Sequence, residues 1–443
     1  MTAEIAILNK TAVALAADSA VTISAGGQHQ KIFDSADKIF ELSNANPIGV
    51  MVYNGMSFAE APLPSLIRAF RDQSKKVHKV EDAAEQLLDF LNDFGKKSPR
   101  PVLDNNLLLL ALPIIKKISN KVASKLQTKI TETKDLNIDF AKLLSDLLND
   151  EIGFYEAIIA DQGEAHFVGG GSIRFSASHT RLLKQVVDKE INYADEKQKK
   201  RIVSLIKNAM KKDSLSQNYT GIVVAGFGAK EIFPTLISFE IDGVLCDKLK
   251  YLKTNSIDVD REVDKGPKAK VLPFAQKEMA ERFLFGLDKI IQDRIHQFCE
   301  KTIPNIRQEM LNKLDLKNGD GRDILDQMGA EAEKAFLNGL KTDAFEQIRS
   351  LSQSAIEDMV EFMPKPEIAK MAEALVNLTS IKRRVSRGME TVGGPIDVAL
   401  ISQAEGFVWI KRKHYFPANL NARYFARVGS GMAGNEEARN EEN

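Results

Sequence analysis

The chain has 443 residues, of which 44% are hydrophobic, so it is long and apolar enough to form a sizeable core and two or three domain-sized units. Its 61 basic residues balance its 61 acidic residues, so no overall field favours nucleic acid or an anionic membrane as a partner. Two cysteines are too few for a disulfide framework or a zinc cluster. Because no apolar run could cross a bilayer and no leader pattern is seen, we expect a cytoplasmic protein.

The first eighteen residues predict a β-hairpin with functional groups at its open end. Two apolar runs, residues 3–8 and 12–17, flank the polar trio Asn9-Lys10-Thr11, which is typical of a hairpin with a three-residue loop. In that hairpin the numbers of paired residues sum to about 20, which sets Thr2 opposite Asp18.

Thr2 is also a candidate nucleophile. Only Met1 precedes it, and a small second residue favours removal of the initiator Met, which leaves Thr2 with a free amine. Such an amine has a pKa near neutrality and can take the proton of its own hydroxyl without a histidine.

Residues 2–58 resemble the N-terminal sheet of the proteasome-type N-terminal-nucleophile hydrolases, a family that includes proteasome β subunits, HslV and Anbu. The family begins with a mature Thr, ends its second strand in Ala-Ala-Asp-Ser and opens a later strand with Lys. Here Thr2, Ala16-Ala17-Asp18-Ser19 and Lys38-Ile39-Phe40 match that pattern. Lys31 is the alternative to Lys38, since the loop before Lys38 is longer than in the family.

The family forms its oxyanion hole with a backbone N–H in a turn that contains glycine. Asn54-Gly55, after the apolar run Ile48–Tyr53, stands at that turn in place of Ala-Gly-Gly, which leaves open which N–H would be the donor.

Further along the chain the resemblance is discontinuous and covers less than half of the residues. Ser57–Asp93 is similar to the family's first two helices, Gly221–Gly243 to its next hairpin, and Arg387–Ile401 to its closing strand. In the closing strand Glu390 stands for the family's acidic residue, whereas Val392 occupies the usual Ser position.

Apolar periodicity and breaker residues predict six segments. They are the N-terminal part of a core (1–97), a mainly helical insertion (98–215), core strands (216–250), a helical insertion with core helices (251–385), closing strands (386–428) and a disordered acidic tail (429–443). Within the first insertion, Glu151–Ser178 is expected to form strands joined by a glycine turn.

The resemblance implies an α+β fold, a four-layer αββα sandwich with large helical insertions, and amide hydrolysis by a threonine-type peptidase. Thr2 would attack a carbonyl, Lys38 would favour its ionised form by charge, and Asp18 would orient Lys38. The turn at Asn54 and Gly55 would receive the oxyanion, and Glu390 would support the site. Neither a cofactor nor a metal is expected, because the six histidines show no ligand spacing.

Three functions remain open from the sequence. The first is a proteasome-like peptidase that acts on peptides or unfolded proteins as a homo-oligomer smaller or differently arranged than a closed double ring of six or seven, with a separate ATPase as a candidate partner. The second is a non-proteolytic amidase of the same superfamily, whose insertions close over a small-molecule pocket. The third is an inactive structural or regulatory module, for which retention of Met1 would be the sign.

Overall fold

The structure is a computed structural model that describes residues 2–24, 30–132, 139–216, 218–260, 266–313, 320–385, 392–424 and 426. The strands of these residues are β1 (Ala3–Asn9), β2 (Ala12–Ala17), β3 (Val21–Ser24), β4 (Gln30–Phe33), β5 (Ile39–Glu41), β6 (Ile48–Asn54), β7 (Ser57–Phe58), β8 (Ala61–Pro62), β9 (His166–Phe167), β10 (Thr220–Gly226), β11 (Thr235–Leu245), β12 (Lys248–Asp258), β13 (Ala269–Ala275), β14 (Asp397–Ser402) and β15 (Gly406–Lys411).

The helices of the described residues are α1 (Leu63–Gln73), α2 (Val80–Lys96), α3 (Arg100–Glu132), α4 (Phe140–Ala160), α5 (Ala177–Glu190), α6 (Glu196–Met210), α7 (Glu278–Phe285), α8 (Lys289–Lys313), α9 (Asp320–Gly339), α10 (Glu346–Glu361) and α11 (Lys365–Val385). A π-helix (Leu340–Phe345) joins α9 to α10, and a 3₁₀-helix (Ala418–Leu420) follows β15. In the described parts of the chain, no helix has the length and apolar character needed to cross a membrane.

Most of the strands form two sheets. The first sheet has the order β13-β1-β2-β14-β15, and the second has the order β5-β6-β10-β11-β12-β9. Every strand pair that the structure describes is antiparallel. The prediction of an α+β fold with mostly antiparallel sheets is therefore confirmed.

The two sheets pack face to face. Side chains along a strand point alternately to its two faces, and on β1 Ala6 and Leu8 join an apolar cluster that also contains Met51 and Tyr53 of β6. The opposite face of the first sheet packs against α7, α10 and α11, and the outer face of the second sheet packs against α1 and α2. Burial of both faces explains why β1 and β2 are almost continuously apolar in sequence.

The N-terminal hairpin has a tighter turn than its sequence predicts. Only Lys10 and Thr11 lie between β1 and β2, and the numbers of paired residues sum to 21. The prediction that Thr2 lies opposite Asp18 is therefore wrong by one residue. Ala3 takes that place, and its carbonyl accepts a hydrogen bond from the Asp18 N–H at 3.2 Å.

Asn9 accounts for the shorter loop. Its side-chain oxygen accepts the Thr11 N–H at 2.9 Å, which closes the chain reversal within two residues. Its amide nitrogen donates to the Val360 and Met363 carbonyls at 2.9 and 3.0 Å, so Asn9 is held in the strand against the end of α10.

Two strands lie in the segment 251–385, for which the sequence predicts helices. β12 runs to Asp258, and β13 pairs along the whole length of β1 at the edge of the first sheet. Pro273 lies within β13 and obscures its alternating pattern, but an edge strand tolerates the missing donor of a proline.

The strands predicted for Glu151–Ser178 are also wrong for most of that segment. Glu151 lies inside α4, and Asp139 caps this helix by accepting the Ala141 and Lys142 N–H groups at 3.1 Å. Buried side chains of α3, α4, α5 and α6 share one apolar cluster. These four helices therefore form a core of their own beside the second sheet.

Candidate active site

Asp18 lies at the end of β2, where three groups donate to its carboxylate. One oxygen accepts the Ala3 N–H at 3.2 Å and the Lys38 ammonium at 2.5 Å. The other oxygen accepts the Gly393 N–H at 2.9 Å. The side chain of Asp18 is completely buried. These three donors fix its position, and the pairing with Lys38 predicted from the sequence is present.

Lys38 directly precedes β5, and its carbonyl accepts the Val52 N–H of β6 at 2.8 Å. The strand pairing therefore sets the point at which its side chain enters the space between the sheets. Only 1% of that side chain is exposed. A buried ammonium is costly unless it is paired, and Asp18 supplies the partner.

Glu4 is a third ionisable group of this cluster, which the sequence analysis did not identify. Its carboxylate lies 3.4 Å from the Lys38 ammonium, and its side chain is completely buried. The pKa of Glu4 is raised to about 7, mainly because burial disfavours the charged carboxylate; the charge of Lys38 opposes this rise, that of Asp18 adds to it, and the Thr2 hydroxyl lowers the pKa. The only hint in the sequence is one acidic residue in an otherwise apolar strand.

Thr2 lies just before β1, and its carbonyl accepts the Gln276 N–H at 3.0 Å at the edge of the sheet. The residue is 5% exposed. Among the described residues its hydroxyl has no hydrogen-bond partner. Met1, whose removal the sequence analysis expects, lies outside the described residues.

Asn54 and Gly55 follow the end of β6 and share a cavity with Thr2. Asn54 adopts a left-handed conformation with φ of 64°, and its side-chain amide donates to the Tyr219 carbonyl at 2.6 Å. A Cβ atom at Gly55 would lie 2.1 Å from the Thr220 hydroxyl. A larger residue at position 55 would therefore force the Thr220 side chain of β10 to move.

The cavity at Thr2 has a volume of about 450 Å³. One wall comes from the first helical insertion, through five residues of α3: Val102, Asn105, Asn106, Leu109 and Leu110. Asn106 ties this wall to the second sheet, because its amide donates to the Val244 carbonyl at 3.0 Å. The insertion thus shapes the space in front of the candidate nucleophile.

A larger and more apolar cavity of about 820 Å³ adjoins the first. The two cavities share Leu109, Leu110, Ser216, Asn218 and Asp242 as lining residues. Together they form an elongated space that extends from Thr2 along α3.

A second buried ion pair lies between the two cavities. Asp242 accepts the Ser216 N–H at 3.0 Å and the Ser216 hydroxyl at 2.7 Å, and it lies 3.8 Å from the Lys250 ammonium. Lys250 in turn donates to the Ser214 carbonyl at 2.5 Å. Burial lowers the pKa of Lys250, while Asp242 opposes that shift. This pair holds the chain segment that enters β10.

Two residues named from the sequence lie outside what the structure describes. Glu390 is outside the described residues, and the side chain of Lys31 is as well, although the backbone of Lys31 belongs to β4. The neighbouring Gly393 does reach the site through its hydrogen bond to Asp18. The structure therefore brings together Thr2, Asp18 and Lys38, with Asn54 and Gly55 lining the same cavity as Thr2. No protein-family model matches this chain, and no curated protein matches it either.

Proposed function

We propose that this chain is an N-terminal threonine hydrolase that cleaves amide bonds, with peptides as its substrate class, once Met1 has been removed. The observation that carries the proposal is the buried Lys38–Asp18 pair near the Thr2 hydroxyl, which lies at a cavity and has no hydrogen-bond partner among the residues that the structure describes. Two face-to-face sheets between layers of helices agree with the αββα sandwich of N-terminal-nucleophile hydrolases.

The proposed reaction begins with attack of the Thr2 hydroxyl oxygen on a substrate carbonyl. The free amine of Thr2 takes the hydroxyl proton, directly or through a water molecule. The positive charge of Lys38 favours the ionised hydroxyl, and Asp18 keeps Lys38 charged and oriented. As the tetrahedral intermediate collapses, the C–N bond breaks and the protonated Thr2 amine returns the proton to the leaving nitrogen. The ester left on Thr2 is then hydrolysed by water.

The oxyanion is assigned to backbone N–H groups at Asn54 and Gly55. These residues line the cavity with Thr2, and the left-handed backbone at Asn54 turns the chain sharply there. One such donor is typically worth about 3 kcal/mol of transition-state stabilisation. Glu390 stays a candidate supporting acid of the site.

A small-molecule amidase is the second candidate, because the α3 wall confines the space in front of Thr2 to about 450 Å³. That volume suits a ligand of modest size, whereas the elongated extension along α3 suits a peptide. Hydrolysis of peptide and small-amide libraries separates the two functions.

We also propose that the active form is a homo-oligomer of this chain, in which α8, α9 and α10 make contacts between copies. These helices expose large apolar side chains, namely Phe298, Met310, Met328, Phe336, Leu351 and Met359. Apolar surface of this kind favours burial against a partner. Light scattering tests this assembly, and a twelve- or fourteen-subunit particle would indicate a conventional double ring instead.

A separate ATPase partner stays a proposal, which pull-down with candidate unfoldases would test.

The function is tested by covalent labelling. A β-lactone or peptide epoxyketone is incubated with the protein, and intact mass spectrometry reports both Met1 removal and adduct formation. Thr2→Ala should abolish the adduct without unfolding the protein, whereas Thr11→Ala, in the exposed turn of the same hairpin, should label like the wild type. Full labelling of Thr2→Ala, or retention of Met1 in the active protein, would refute the amine-assisted mechanism.

A further inference from the structure

Two carboxylates compete for one lysine in the buried cluster, and they are held very unequally. Asp18 accepts hydrogen bonds from Ala3, Lys38 and Gly393. Glu4 lies 3.4 Å from the Lys38 ammonium. Within the described parts of the chain, neither oxygen of Glu4 has a hydrogen-bond partner. Asp18 is thus fully occupied as a structural acceptor, while Glu4 keeps open lone pairs on a completely buried side chain.

Glu4 is also placed to act on the nucleophile. It follows Thr2 by two residues at the start of β1, so both side chains point to the same face of the strand, toward the space between the sheets. The Thr2 hydroxyl lies close enough to lower the pKa of Glu4 as a hydrogen-bond donor, but within the described residues the geometry falls short of a full hydrogen bond for either group. A donor without an acceptor therefore lies beside an acceptor without a donor.

The charges around Glu4 favour one bound proton in the buried cluster. The titratable groups that act on it or respond to it are Asp18, Lys38, Tyr53 and Tyr219, with the hydroxyl of Thr2. Lys38 is the one side-chain cation among these groups, and it cannot neutralise both carboxylates. The free amine of Thr2 adds a second positive charge only while it is protonated. Two like charges in a buried site favour retention of a proton on one of them. The open carboxylate of Glu4 is the group that can hold and release it.

We propose that Glu4 is a second base of the Thr2 site, an alternative to the Thr2 amine, which accepts the hydroxyl proton as Thr2 attacks. This inference rests on the proposed function. The Oγ–H bond of Thr2 breaks, its proton joins a Glu4 oxygen, and Oγ bonds to the substrate carbonyl carbon. As the C–N bond of the intermediate breaks, the Glu4 acid returns that proton to the leaving nitrogen. In deacylation Glu4 takes a proton from the attacking water and restores the Thr2 hydroxyl.

The test compares rates of Thr2 acylation by a β-lactone in the wild type and in Glu4→Gln between pH 5.5 and 8.5. Glutamine keeps the shape of the side chain and removes its capacity to accept a proton. A positioned base contributes a factor of about 100 or more, so we expect Glu4→Gln to be slower by at least that factor at pH 8. Because Glu4 acts only when ionised, with a pKa of about 7, the ratio of the two rates should shrink by about 30-fold at pH 5.5.

Glu151→Gln is the matched control, since Glu151 is also a buried glutamate beside a lysine, Lys125, but lies in α4. Its acylation rate should equal that of the wild type at every pH. Difference infrared spectroscopy adds a second readout. A carboxylic-acid C=O band should appear in the wild type below pH 7 and be missing in Glu4→Gln, which checks the proton on Glu4 even where rates are low.

The outcomes separate this inference from the function on which it rests. A wild type that is acylated at Thr2, together with a Glu4→Gln variant of equal rate, would overturn the role of Glu4 alone. So would a loss in Glu4→Gln that is the same at all pH values, because that is the sign of a structural defect. If the wild type forms no adduct at Thr2, the proposed function is refuted, and the proposed role of Glu4 is refuted with it.

Discussion

Among the described residues, two lysine–aspartate pairs are almost completely buried, and the contrast between them separates structural from chemical use of buried charge. Lys250 and Asp242 form one pair, in which the aspartate accepts from Ser216 and the lysine donates to Ser214. Lys38 and Asp18 form the other pair. Both pairs are almost completely buried.

The difference lies in what surrounds each pair. A second acid, Asp213, also acts on Lys250, but it is exposed to solvent. The extra hydrogen bonds of the Lys250 pair go to the segment that enters β10. The Lys38 pair has a second acid, Glu4, and a neighbouring Thr2 hydroxyl, neither of which has a hydrogen-bond partner among the described residues. Unsatisfied buried groups destabilise a fold, so their persistence around Lys38 favours a chemical role there.

The largest effect is expected when each lysine is replaced by methionine. In Lys38→Met the nucleophile loses its neighbouring positive charge, and acylation of Thr2 should fall by at least about 100-fold. In Lys250→Met the rate should stay within about tenfold of the wild type, since Lys250 acts on the fold. Intact mass spectrometry of the β-lactone adduct over time gives both rates.

A control is needed because Lys38→Met leaves two acids without a cation. The variant that combines Lys38→Met with Asp18→Asn removes both charges and should fold while staying slow. Equal losses of acylation rate in the Lys38→Met and Lys250→Met variants would show that the two pairs do not differ in role.

The second prediction is that Asp18 and Lys38 act as one unit. Asp18→Asn and Lys38→Ala should each lower turnover by orders of magnitude, and the double variant should be little slower than either, because the loss of one partner already disables the other. Hydrolysis rates of the four proteins complete the cycle. Additive losses of hydrolysis rate would show that the two residues do not couple. An inactive Lys31→Ala variant together with an active Lys38→Ala variant would assign the role of Lys38 to Lys31.

A third prediction concerns the dependence of stability on pH. Because the pKa of Glu4 rises from 4.5 to about 7 on folding, its protonated form stabilises the folded state. That contribution is complete below pH 4.5 and is lost as the pH rises to about 7, a change of about 3 kcal/mol in the free energy of unfolding. Urea unfolding of the wild type and Glu4→Gln over this range gives the difference.

Glu4→Gln should lose this slope and become the more stable protein near neutral pH, since it removes an uncompensated buried charge. A wild type whose difference from Glu4→Gln is constant between pH 4.5 and 7 would show that Glu4 is ionised throughout.

The sequence predicted the parts of this site that depend on local pattern. The two apolar runs around Asn9 predicted the first hairpin, and the family spacing predicted that Asp18 and Lys38 meet. It did not predict Glu4, because one acidic residue in a strand has no meaning until the facing lysine is known. The predicted loop was one residue longer than the observed loop. The Asn9 side chain bonds to the end of α10, and this contact between residues far apart in sequence holds Asn9 in the strand.

The parts of the fold that depend on long-range contacts could not be predicted from the sequence, for a related reason. β13 pairs with β1 across most of the chain, and Pro273 hides its alternation, so local periodicity favoured a helix there. The α3 wall of the cavity depends on how a separately packed helical cluster packs against the second sheet. The sequence pattern of a single segment does not predict that arrangement.

The smallest effect is expected at Asp242, the acid of the second pair. Asp242→Asn keeps the side-chain shape but weakens the hydrogen bonds from Ser216 and removes the charge that faces Lys250. The free energy of unfolding should fall by about 2 kcal/mol, as expected when a buried charged acceptor is lost. Acylation of Thr2 should change by less than about tenfold, because a shift of Ser216 alters the cavity wall and leaves Lys38 and Asp18 in place. Urea unfolding and the adduct time course measure the two effects on one preparation. If Asp242→Asn instead slowed acylation as strongly as Asp18→Asn, the second pair would belong to the chemistry of the site and the contrast between the pairs would be refuted.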